Sequence, residues 1–199
     1  MEAASALAHQ RKAGLVHVLS GDGNGKTTSA IGITVRAAGR GLNAAFVQFL
    51  KGGLSSEIAP LQKLGIVVVS GTKYCDRHGQ HREHLQEKGF MVFCKGCFAI
   101  NDEDRHLVRQ AWEQASDFCT SGKYDLVVLD EIFWAISEGL VSEAEVLSLV
   151  RGRAINCEII LTGRGSTQAI EETADYVTYV QKKKHPFDSG VISRCGIDY

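Results

Sequence analysis

The chain has almost no charge bias: 22 Lys+Arg stand against 23 Asp+Glu, a formal net charge of −1. That balance, with a pI near 6.6, argues against binding to nucleic acid through bulk positive charge. No apolar run approaches the roughly 18 residues that a membrane span needs. The start, MEAASALAHQRKAG, carries no apolar stretch of signal-peptide length. The expectation is therefore a cytoplasmic chain with reduced cysteines, and with neither a membrane nor a nucleic-acid partner. Repeats and low-complexity segments are also missing. What is present is 199 residues of 44% hydrophobic content, with a mean hydropathy of −0.06. That is one domain's worth of globular chain with a core.

Short apolar runs alternate with helical patterns. Strands are expected at Leu15–Leu19, Ala44–Phe49, Ile66–Val69, Leu126–Leu129, Ile159–Leu161 and Tyr176–Val180. Helices are expected at Lys26–Gly39, Ser55–Leu64 (which contains Pro60), Asp102–Thr120, Ser142–Val150 and Ser166–Ala174. In the longest of these, Leu107, Val108, Ala111, Trp112, Ala115 and Phe118 follow the three-to-four spacing of one buried face. Ser142 with Glu145 three residues on has the form of a capping box. Strands without polar alternation, separated by helices, predict an α/β fold: a mostly parallel sheet covered on both faces. Residues 1–13 read as an arm, 14–199 as the domain, and 72–97 as an insertion that breaks the rhythm.

The turn after the first strand is Ser20-Gly21-Asp22-Gly23-Asn24-Gly25-Lys26-Thr27-Thr28. It fits a Walker A phosphate loop except at its first position, where Ser20 replaces glycine. Glycines let backbone N–H groups converge on phosphate oxygens, and the helix N-terminus adds partial positive charge. Lys26 supplies a point charge, and the Thr27 hydroxyl is placed to ligate Mg²⁺. Gly21, Gly23, Asn24, Gly25, Lys26, Thr27 and Thr28 are thus the expected ATP-binding residues. A dinucleotide fingerprint fits less well, because the third glycine is out of register and Lys26 would have no role.

Leu126-Val127-Val128-Leu129-Asp130-Glu131 places two carboxylates at the carboxyl end of an apolar strand, a Walker B pattern at the sheet edge where ligands bind. Asp130 is expected to serve Mg²⁺; Glu131 to ligate metal, orient a water or contact substrate. Arg164, in Leu161-Thr162-Gly163-Arg164-Gly165, ends the fifth strand on the same edge and joins the expected ATP-binding residues, its fork of donors suited to phosphate charge. Lys182–Lys184 is a basic run, read either as a solvated loop or as help for an anionic ligand.

These segments, with Val47-Gln48-Phe49, Lys51-Gly52, and His185-Pro186-Phe187-Asp188-Ser189-Gly190 ahead of Gly196-Ile197-Asp198-Tyr199, occur in an order that resembles the P-loop ATP:corrinoid adenosyltransferases. The resemblance covers roughly residues 14–70 and 98–199. It implies a P-loop (RecA-like) architecture. It also implies that the cobalt(I) of a corrinoid attacks the 5′ carbon of ATP and that triphosphate leaves whole, in adenosylcobalamin biosynthesis or salvage. On that reading Lys26, Glu131 and Arg164 carry the catalysis, and His185, Phe187 and Asp188 belong to the corrinoid side. The family sets aromatic side chains against the corrin, but its G-F-x-W type sequence is absent here. Gly96-Cys97-Phe98 is the nearest counterpart, with Tyr74 and Phe93 as alternatives. A homodimer and a flavoprotein reductase are the partners implied.

The chain has six cysteines and seven histidines. Cys119, Cys157 and Cys195 read as ordinary small residues. Cys75-x-x-His78 with Cys94-x-x-Cys97 has the pairing of a zinc knuckle, with His81 and His84 as spare ligands. Reduced thiols in a loop, and a direct role at the cobalt, are the competing readings. Two other functions stay open at this point: a nucleoside kinase of the thymidine-kinase type with a zinc ribbon, and an ATP-dependent switch. The kinase expects its ribbon after the main sheet, whereas here the Cys/His block precedes the Walker B strand.

Overall fold

A computed structural model describes residues 13–51, 55–71, 87, 99–191, 194 and 196–198. Among these residues six strands form one sheet: β1 (Val16–Ser20), β2 (Ala44–Phe49), β3 (Val67–Gly71), β4 (Leu126–Asp130), β5 (Glu158–Gly163) and β6 (Tyr176–Tyr179). Their order is β3-β2-β4-β5-β1-β6, and every pairing is parallel. The helices are α1 (Lys26–Gly39), α2 (Ile58–Lys63), α3 (Asp102–Thr120), α4 (Ile132–Ser137), α5 (Glu143–Gly152) and α6 (Gln168–Thr173), followed by a 3₁₀ turn at Pro186–Ser189.

The central strands are apolar on both faces because both faces are covered. Leu126, Val128, Ile160, Phe46 and Leu19 point into one core, which they share with Ala30 and Ala37 of α1 and Leu61 of α2. Val127, Leu129, Ile159, Leu161 and Val47 point into the other, filled by Val108, Ala111 and Trp112 of α3, Ile132 and Phe133 of α4, Val146 of α5 and Ile170 of α6. Period-two side chains buried on both sides are what a doubly covered parallel sheet requires. Edge strand β6 differs: all four of its residues are exposed.

The predicted strands are all present, with ends shifted by a residue or two. The Ser142–Glu145 capping box forms reciprocally at the start of α5. The helix expected over Ser55–Leu64 shortens to Ile58–Lys63, with Pro60 in its first turn, where a missing N–H costs little. Helix α4 has no counterpart in the sequence reading. Its residues Ile132, Phe133 and Ala135 are all buried, so the segment shows an apolar run rather than a helical stripe. The proposed insertion at 72–97 lies, but for Glu87, outside the described residues. Among the described residues no helix is long and apolar enough to cross a membrane.

Candidate functional site

Parallel strands bring their carboxyl ends to one edge, and every polar group discussed next comes from that edge. The β1–α1 turn is the phosphate loop. Gly21 and Gly25 take φ of 119° and 120°, a region that favours glycine. Gly21 is required for a second reason: a Cβ there would run into the Val180 carbonyl, and one on Gly23 would come within 2.8 Å of the Gln181 carbonyl carbon. The Gly23 N–H donates to Val180 O at 2.7 Å, and the Lys182 N–H donates to Asp22 Oδ1 at 2.9 Å. The loop is therefore seated on the segment that leaves β6. Ser20, the departure from the Walker pattern, is buried; its Oγ accepts the Ser166 N–H at 3.2 Å and ties the loop to the β5–α6 connection.

Lys26 is buried at the first position of α1, its Nζ donating to Gly23 O at 2.9 Å. Burial lowers its pKa, with Glu131 opposing that shift and Arg164 adding to it. Thr27, one residue on, donates from Oγ1 to Asp130 Oδ1 at 2.9 Å. Asn24 and Thr28 are exposed.

Asp130 ends β4 with no solvent exposure. Besides Thr27 it accepts the Thr162 hydroxyl at 2.7 Å and the Lys51 ammonium, on Oδ2, at 2.7 Å. Lys51 Nζ also donates to Thr27 Oγ1 at 3.0 Å and lies 4.0 Å from Glu57 Oε1. A carboxylate this buried needs such company, since an unpaired charge inside a protein is very costly. Glu131 follows in the left-handed region at φ 61° and donates its N–H to Thr162 Oγ1 at 3.0 Å. Strained non-glycine backbone of this kind persists where surrounding contacts over-determine it. Burial and the neighbouring Asp130 charge raise the Glu131 carboxyl above its usual range, against the pull of Lys51, Lys26 and Arg164.

Arg164 is exposed, yet close enough for its charge to act on Lys26, Glu131 and Asp22. His185 Nδ1 accepts the Phe187 N–H at 3.1 Å and starts the 3₁₀ turn. Phe187 is 69% exposed, and Asp188 pairs with Lys182 Nζ at 3.2 Å, which uses one of the three lysines of the basic run. The phosphate loop, Asp130, Glu131 and Arg164 are thus brought together as expected. Tyr74, Phe93 and Phe98, the candidate corrin-facing aromatics, and Cys75, His78, Cys94 and Cys97, the zinc set, lie outside the described residues. Among the described residues no group of three or more His, Cys, Asp or Glu is arranged to hold a metal ion by such side chains alone.

Lys51, Thr162 and Glu57 received no role from the sequence, although Lys51 and Thr162 sit inside the matched segments. A polar residue ending an apolar strand was the available signal for Thr162. Lys51 reaches its partners only through β2 lying beside β4, with Gln48 opposite Asp130.

The comparisons with known proteins match this site along its whole extent. The family described as ATP:corrinoid adenosyltransferase BtuR/CobO/CobP matches residues 12–199. The corrinoid adenosyltransferase of Escherichia coli strain K12 is 30% identical over 190 residues, covering 96% of this chain and 88% of that one. Corrinoid adenosyltransferase CobA of Salmonella typhimurium is 31% identical over 194 residues, with the same coverage of each. The Pseudomonas aeruginosa corrinoid adenosyltransferase is 29% identical over 189 residues, 94% of this chain and 84% of that one. These matches favour neither the nucleoside kinase nor the switch. With its phosphate loop, its acidic strand end and its C-terminal segment all within the matched span, the chain belongs to the ATP:corrinoid adenosyltransferase family.

Proposed function

We propose that the chain transfers the 5′-deoxyadenosyl group of ATP to the cobalt(I) of a corrinoid. The observation that carries this reading is the seating of the phosphate loop on the chain between Val180 and Lys182, within a family match that spans both. A bond forms between cobalt and C5′. The C5′–O bond breaks, and its electron pair leaves with the triphosphate. Cobalt passes formally from I to III, the cobalt(I) having been supplied beforehand by an external reductant, for which a flavoprotein reductase is the proposed partner.

The nucleophile belongs to the substrate, so the chain needs neither a nucleophilic side chain nor a general base of its own. Its work is positioning and leaving-group electrostatics. Lys26, Arg164 and the N–H groups of the phosphate loop face a polyanion with two cations and a helix N-terminus. Oxygen donors suit Mg²⁺, and the Asp130–Thr27 pair already has an ammonium beside it, so a cation is accommodated there. Thr27, Asp130 and Glu131 would hold it. Bound Mg²⁺ would neutralise charge on the departing triphosphate.

The same reading makes residues 14–199 one nucleotide-binding domain behind an arm, working in the cytoplasm as a homodimer. Cys75, His78, Cys94 and Cys97 form a structural zinc knuckle in it, and Tyr74, Phe98, His185, Phe187 and Asp188 lie toward the corrinoid.

The test is anaerobic incubation with Mg-ATP, a reductant and cobalamin. The expected result is a photolabile cobalt–carbon product with intact triphosphate released. ADP and phosphate as products, with no dependence on corrinoid, would refute it. Metal analysis of wild type and Cys94→Ala checks the knuckle, which near-zero zinc in fresh protein would remove.

A further inference from the structure

One side chain in the site has no part in the reaction as described: the Lys51 ammonium, which occupies the space between Thr27 Oγ1 (3.0 Å) and Asp130 Oδ2 (2.7 Å). Those are two of the oxygens that would ligate Mg²⁺, so this inference rests on the metal reading above. Magnesium–oxygen bonds are about 2.1 Å long, and an ammonium already against both oxygens fills the same volume. The ammonium is a compact charge on a flexible stem, able to leave without moving backbone. A second carboxylate oxygen, Glu57 Oε1, lies 4.0 Å from it in the same site. Glu57 is itself fixed by Gln48 Nε2 at 2.7 Å.

We propose that Lys51 is the resident counter-ion of the metal site: it holds Asp130 and Thr27 in the metal-free protein and keeps a lone divalent cation off them. The cation gains the position only when it arrives with the triphosphate, whose negative charge receives the displaced ammonium. Lys51 is on this account a positioning residue that makes metal binding conditional on nucleotide.

Mn²⁺ serves as the probe, with free ion counted by electron paramagnetic resonance and the full-length protein used throughout. Wild type is expected to bind Mn²⁺ weakly alone and at least about ten-fold more tightly with ATP, within the usual range of coupling between two ligands. Lys51→Met is expected to bind Mn²⁺ alone about ten-fold more tightly than wild type, and Lys51→Arg to retain the exclusion. Equal affinity of Lys51→Met and wild type for Mn²⁺ alone overturns the proposal. Asp130→Asn separates the two readings: if it binds Mn²⁺ with ATP as wild type does, the metal is not at Asp130 and both fall. Should Lys51→Met fail to fold, reductive methylation of wild type, read at Lys51 by mass spectrometry, decides the matter. Mg²⁺ alone should leave the rate at Lys51 unchanged and Mg²⁺ with tripolyphosphate should alter it; an equal change from Mg²⁺ alone overturns the proposal.

Discussion

The Thr162 hydroxyl donates to Asp130 Oδ1 at 2.7 Å in the fully buried space between β5 and β4, and its oxygen accepts the Glu131 N–H at 3.0 Å. One hydroxyl thus steadies both carboxylate residues. Thr162→Val keeps the shape and deletes the donor and the acceptor. The expected loss is about 1–3 kcal/mol, with Thr162→Ser close to wild type. Urea unfolding midpoints check it, and an unchanged midpoint for Thr162→Val would show that the hydroxyl is idle.

Lys26 is expected to trade stability for activity. Burial lowers its pKa, so holding it charged at neutral pH works against the fold. Lys26→Met should abolish triphosphate release while melting at or above the wild-type temperature. Loss of both activity and stability would mean that Lys26 is structural.

Glu131 gives the fold a pH dependence in the metal-free state. Its folded pKa lies above the ordinary 4.5, so over the window upward from there the folded chain binds more protons than the unfolded one. Stability therefore falls as pH rises through that window. Glu131→Gln removes the effect: it should be more stable than wild type at about pH 8, the advantage shrinking toward about pH 4. Denaturant midpoints across that range measure it, and a pH-independent difference would contradict it.

Gly21→Ala introduces a methyl against the Val180 carbonyl at a φ of 119°. The fold should survive with a lower melting temperature, and ATP affinity should drop at least about ten-fold, because the loop and the 180–182 segment must part. Calorimetric titration with ATP reads the outcome.

Ser142→Ala is the counterpart at a capping box built on a different helix. Its loss should cost about 0.5–2 kcal/mol and leave the substrate KM unchanged. A shifted KM would reveal a coupling from α5 to the site.

The phosphate loop and the acidic strand end were readable because each packs its chemistry into consecutive residues. The alternation of β and α was readable because both sheet faces are covered. Helix α4 was not, since its five consecutive apolar residues, Ile132–Ile136, leave no polar face to mark a stripe. Lys51 was not either. Its partners Thr27 and Asp130 are 24 and 79 residues away in the chain, and only the strand order reveals the meeting. The same holds for Gly21 and Gly23: the loop pattern explains them as phosphate-facing glycines, whereas the 180–181 backbone supplies an additional reason that only the folded chain displays.

The groups around Asp130 are drawn from sequence positions 103, 79 and 32 residues distant, and β5 is wedged between the strand of the phosphate loop and the strand of Asp130. No contiguous fragment ending before β5 can contain the site, however well its own elements form. During synthesis the nucleotide pocket therefore closes late, after β5 inserts between two strands made earlier, since long-range pairings of this kind form slowly. A chain that stops short of residue 163 therefore carries its phosphate loop, Lys51 and Asp130 but lacks the complete strand whose Thr162 hydroxyl steadies both carboxylate residues.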